Sequence, residues 1–118
     1  MSSKEAFFQD LARHLQTWRD DLVKAVADPR YAVWAETQPA IERLNRKSFS
    51  EAELEDLRTV LDECFRGILH SVLVTIDGGT SMSNVGAMAL VDADTNEPIT
   101  VGALHEEFVE YLATRGLI

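Results

Sequence analysis

Ser50–Gly79 reads SEAELEDLRTVLDECFRGILHSVLVTIDGG, and the architecture turns on whether this run is one helix. Ser50 is an N-cap residue, and Glu53 three positions on completes a capping box, in which each side chain satisfies the other residue's backbone N–H. Phe49 before the cap and Leu54 after it are placed to form a hydrophobic staple. Glu51, Glu53, Glu55 and Asp56 crowd the first turns, where the helix dipole favours acids. Leu54, Leu57, Leu61, Phe65, Ile68, Val72 and Ile76 recur at steps of three and four, a helical stripe. Gly78-Gly79 suits the stop. From Gly67 to Ile76 there is no Asp, Glu, Lys or Arg. A helix that is apolar all round is buried all round, so this half is expected to be the core element. The competing reading makes residues 68–76 a β-branched strand after a helix that ends near Gly67. The unbroken stripe favours the helix.

Outward from this element, the N-terminal segment carries Ser2 and Glu5 as a second capping box. Phe7 or Phe8, Leu11, Leu15, Trp18, Leu22 and Val26 then lie on one face as far as Asp28-Pro29, where a helix should end. Packing against the central helix is the simpler use of this face, and a dimer seam is the alternative. Residues 29–47 read as short helices opened by Pro29 and Pro39, with Tyr31 and Trp34 on a surface crossover. These two aromatics either cover the core or anchor a partner, since Trp and Tyr dominate interface hot spots. GAMALV (86–91) and residues 98–101, joined by the turn-rich 92–97, read as a β-hairpin. A last helix is expected over about 101–115, with Thr100 as cap and Gly116 and Leu117 as its ending. The expected fold is therefore α+β and mostly helical. It is a single domain over 1–118, with a long central helix, N- and C-terminal helices and one β-hairpin. Phe65, Ile68, Val72, Leu90, Leu104 and Phe108 are its expected core.

Composition restricts function mostly by exclusion. The chain has 118 residues, a net charge of −9 and one cysteine, Cys64, so it has no internal disulfide. Twenty acidic residues against 11 basic ones leave no basic stripe to neutralise phosphates, and no nucleic-acid ligand is expected. No apolar run has the length of a membrane span, so no membrane association is expected either. Acidity favours a basic protein partner through electrostatic steering. A homodimer is compatible with the pattern.

Catalytic signatures are missing. There is no GxSxG, HExxH, CxxC, Walker A or GxGxxG. No catalytic residue, metal ligand or cofactor is assigned, and an enzyme is the less favoured reading. DADTNEPITVGA from Asp92 begins like a calcium loop but has Glu97 in place of the turn glycine and Ala103 in place of the bidentate Glu; turn chemistry explains its Asp and Asn. GGTSMSN could offer backbone N–H groups to an anion, a weak signal. The candidate ligand set is His70, Asp77 and His105, a polar pocket at the end of the central helix.

The segments LHSVLVTIDGG, LVDADTNEPI and LHEEFVEYL together resemble small acidic bacterial proteins of unassigned function, over roughly residues 65–112. The resemblance implies a single-domain cytoplasmic protein and carries no catalytic motif. In size and acidity the chain is also similar to immunity proteins that neutralise toxin nucleases. Two functions follow as expectations. One is a non-enzymatic interaction or regulatory module, immunity-like in character, with Tyr31 and Trp34 as anchors. The other is a small-ligand or metal-binding protein built on His70, Asp77 and His105.

Overall fold

The computed structural model describes residues 1–80, 84–100 and 102–118. Their α-helices are α1 (Ser3–Ala27), α2 (Gln38–Asn45), α3 (Glu51–Ile76) and α4 (Leu104–Thr114), with short 3-10 turns at Pro29–Tyr31 and Ala35–Thr37. No β-strand forms among the described residues, so the α+β expectation is corrected to all-helical. The expected hairpin reduces to one antiparallel bridge between Val91 and Pro98. Its turn is real: Asp92 N–H donates to the Glu97 carbonyl at 2.8 Å, Ile99 N–H to the Leu90 carbonyl at 2.9 Å, and Asn96 takes a positive φ of 60°. The ladder stops there because Pro98 has no N–H to extend it and because Gly102 and Ala103 already lead into α4.

The central run is helical throughout, residues 68–76 included. Both capping boxes form. Ser50 Oγ accepts the Glu53 N–H at 3.1 Å while the Glu53 carboxylate accepts the Ser50 N–H at 2.9 Å. Ser2 and Glu5 make the same exchange at 3.1 and 3.4 Å. Two glycine endings are equally regular. After α3, Gly78 has φ +82°, its N–H reaches the Thr75 carbonyl and the Gly79 N–H reaches that of Val74. After α4, Gly116 has φ +68°, its N–H reaches Ala113 and the Leu117 N–H reaches Leu112. Both are Schellman endings, which need a left-handed residue that only glycine supplies cheaply.

The chain divides into two compact units, Met1–Ala12 with Arg66–Ile118, and Arg13–Phe65. In the first, Phe8, Ala12, Leu73, Leu104, Phe108 and Leu112 form the buried cluster, with Leu69, Ile76, Leu90 and Leu117 among its half-buried neighbours. Phe8 meets Phe108 and Tyr111 at ring-centroid distances of 5.4 and 5.7 Å. The expected core is correct for Leu104 and Phe108 and misplaced on α3. Leu73 is 1 % exposed, whereas Ile68 is 58 % and Val72 50 % exposed, and Phe65 is half-buried. The inward line runs Leu69, Leu73, Ile76. It lies one residue, about 100° around the helix, from the Ile68–Val72 line.

In the second unit, Ala25, Val26 and Ile41 form the cluster, packed by Ala32, Phe49, Leu54 and Leu57. The Asn45 amide donates to the carbonyls of Val26 and Ala27 at 2.8 and 3.0 Å, closing the end of α1. Arg19 pairs with Asp62 at 2.9 Å and with Asp20 at 3.0 Å. The Asp20 hydrogen bond above all raises the Arg19 pKa, with Asp62 adding to it against partial burial.

Candidate functional site

Within the first unit the structure brings His70, Asp77 and His105 together. Asp77 follows the last residue of α3, the end at which the helix dipole disfavours an acid. The left-handed turn at Gly78 aims the chain away, and the Asp77 carboxylate meets the start of α4. Ala103, the N-cap residue of α4, has no capping side chain. Asp77 Oδ2 takes that role from another helix: it accepts the His105 backbone N–H at 3.0 Å and lies 2.5 Å from His105 Nδ1. The nearby Leu104 N–H also favours the charged carboxylate. Partial burial is the largest single influence on Asp77 and pushes its pKa up. The hydrogen bonds from His105 and the Leu104 N–H together outweigh it and hold the carboxyl below the ordinary carboxylate range. With Nδ1 donating to the carboxylate, His105 Nε2 is left 4.0 Å from Glu106 Oε1.

His70 stands edge-on to His105, centroid to centroid 5.3 Å. It is exposed, against the expectation of a polar group inside an apolar core. The arrangement can orient an imidazole, as a carboxylate behind a histidine does. Among the described residues no group of three or more His, Cys, Asp or Glu side chains could hold a metal ion.

Thr100 does not cap α4. Its hydroxyl donates to Glu107 and accepts the Gly102 N–H, and Lys4 Nζ lies 3.4 Å from the same Glu107. Val101, the expected start of that helix, and Ser81–Ser83 of the anion-loop reading lie outside the described residues. The Asp92 carboxylate accepts from Ser3 Oγ, from Asp94 N–H at 2.9 Å and from Thr95 N–H at 3.3 Å. The Ser3 bond, then the two backbone bonds, lower its pKa. These bonds are those of a turn-forming Asp.

In the second unit, Tyr31 is 46 % and Trp34 54 % exposed, so neither covers the core. Trp34 pairs with Trp18 of α1 at 5.0 Å and 37° between planes. Lys24 Nζ sits 3.9 Å over the Tyr31 ring. Trp18 is the member that the sequence did not mark, because its place in the α1 stripe reads as core. A cavity of 320 Å3 in the same unit is lined by Leu44, Phe49, Glu53, Asp56 and Leu57. Its sequence signal would have been the two apolar residues flanking the turn at Ser48, where φ is 54°.

No helix among the described residues is long and apolar enough to cross a membrane. The chain matches no protein-family model, no curated protein and no solved structure.

Proposed function

We propose that the protein is a non-enzymatic interaction module, regulatory or immunity-like, that holds a basic protein partner against the Trp18–Trp34–Tyr31 surface. The observation that carries this reading is the exposed Trp pair. Two large aromatic faces are held together by helix α1 and the following crossover, outside the buried cluster of their unit. Rigid exposed aromatics supply contact area with little ordering cost. A net charge of −9 supplies long-range attraction for a basic partner, which salt weakens. The test is capture by the tagged chain from its own source cells at low and high salt, beside Trp34→Ala. The expected result is a stoichiometric basic protein that high salt releases. Trp34→Ala should weaken it about tenfold, a modest hot-spot effect, with the melting temperature unchanged. No basic partner, or one that Trp34→Ala leaves fully bound, overturns the reading.

A second reading, a small-ligand protein, is favoured by the meeting of His70, Asp77 and His105. Asp77 is engaged with α4, so a ligand would meet the His70 ring and His105 Nε2. If this site binds, inorganic phosphate should raise the melting temperature, and His70→Ala should abolish the shift. No shift with phosphate rejects the reading.

A further inference from the structure

We propose that the outer face of α3 between Gly67 and Thr75 is a homodimer contact, occupied by the same face of a second copy of this chain. Ile68 and Val72, one turn apart, are more exposed than not. Gly67 and Ser71 beside them are also exposed, and the Thr75 hydroxyl donates to the Ser71 carbonyl at 2.9 Å. The opposite side of the same segment is already occupied: Leu69, Leu73 and Ile76 pack into the cluster around Phe108, and His70 meets His105.

Gly67 is the residue without an internal reason. A glycine inside a helix weakens it relative to alanine. Here a Cβ would meet nothing within 4 Å, so no neighbour among the described residues requires the small side chain. A second helix approaching that face would use it, because helix pairs come closest where side chains are smallest.

Charge selects the occupant. Two copies of a chain at −9 repel over most of their surfaces. A two-fold contact lays a patch on itself, so every charge in the patch faces or neighbours its own copy. Gly67–Ile76 carries no Asp, Glu, Lys or Arg and can be laid on itself without that penalty. It equally offers a basic partner nothing to read, which separates this face from the aromatic surface of the other unit. The two associations should therefore respond to salt in opposite directions. Salt screens the repulsion between two acidic chains and strengthens the dimer, whereas it weakens a basic partner.

The test is sedimentation velocity on the full chain, from low micromolar to near-millimolar concentration, at low and high salt. The dimer fraction should rise with concentration and with salt. Val72→Asp and Ile68→Glu, each placing a carboxylate in the contact twice, should raise the Kd about tenfold or more. Both positions are exposed, so thermal unfolding of dilute protein should remain close to wild type. Gly67→Ala should raise the melting temperature of the dilute protein and weaken the dimer, two effects of opposite sign that a purely internal role would not give. A chain that stays monomeric at every concentration overturns the proposal, and so does a dimer that Val72→Asp and Ile68→Glu leave intact. A monomer that instead captures a different protein through this face also overturns it.

Discussion

Phe108→Ala should lower the unfolding free energy by about 3–5 kcal/mol, the usual range for removing a fully buried aromatic. Phe108 is 2 % exposed. It fills the space between α1 and the α3 segment of its unit, in contact with Phe8 at 5.4 Å and in one cluster with Leu73, Leu104 and Leu112. The loss has two parts, the transfer of the ring from water and the cavity that its neighbours only partly fill. Against a total stability of about 5–15 kcal/mol for a domain of ordinary size, the variant should be close to the threshold of folding. The matched control is Ile68→Ala in dilute solution. Ile68 is equally apolar but exposed, and alanine is the better helix former, so its change should stay within about 0.5 kcal/mol. Urea unfolding with an unchanged slope measures both. Equal losses at the two positions would mean that α3 presents the Ile68 line inward.

That contrast marks where sequence reasoning reaches its limit. The helices were legible because each carries its own punctuation: Ser2 with Glu5, Ser50 with Glu53, Gly78 after α3 and Gly116 after α4 act within a few residues. The buried face of α3 was not legible past Phe65. A periodic pattern assigns a face only where polar residues mark the other side, and Gly67–Ile76 has no charge to mark it. The steps Phe65–Ile68–Val72 and Phe65–Leu69–Leu73 are both helical, and only packing chose the second. The hairpin was overread for a related reason. Asp92, Asn96 and Pro98 specify a turn, and they do so here, but a turn does not supply the strands. At the candidate site the residue types and the spacing of His70 and Asp77 were visible. His105 was named with them from its residue type alone; the bond that brings it to Asp77 spans 28 residues, and no local pattern encodes it.

Asp77→Ala should cost about 2–3 kcal/mol, in line with hydrogen bonds to a charged group and loss of an N-cap. The carboxylate accepts the His105 backbone N–H at the start of α4, with the Leu104 N–H nearby, and stands against His105 Nδ1. No side chain of the α4 cap residue can replace it. The pH dependence gives the sign. The folded-state pKa of Asp77 lies below its unfolded value of about 3.9, since the bonds from His105 and the Leu104 N–H outweigh the effect of burial. Folding therefore favours the deprotonated form. The stabilisation is complete above the unfolded pKa and disappears as the pH falls through the lowered folded one. Asp28 and Asp92 also have lowered pKa values, so the wild-type curve alone would mix three carboxylates. The difference between wild type and Asp77→Asn isolates one. It should be constant near neutral pH and shrink on acidification, as the native carboxyl becomes protonated and loses its advantage over the amide. The probe should be urea unfolding from neutral pH to the acid limit of folding. A difference that stays level through the acid range would show that the Asp77 charge does not hold the start of α4, leaving the carboxylate and His105 as neighbours without a structural bond between them.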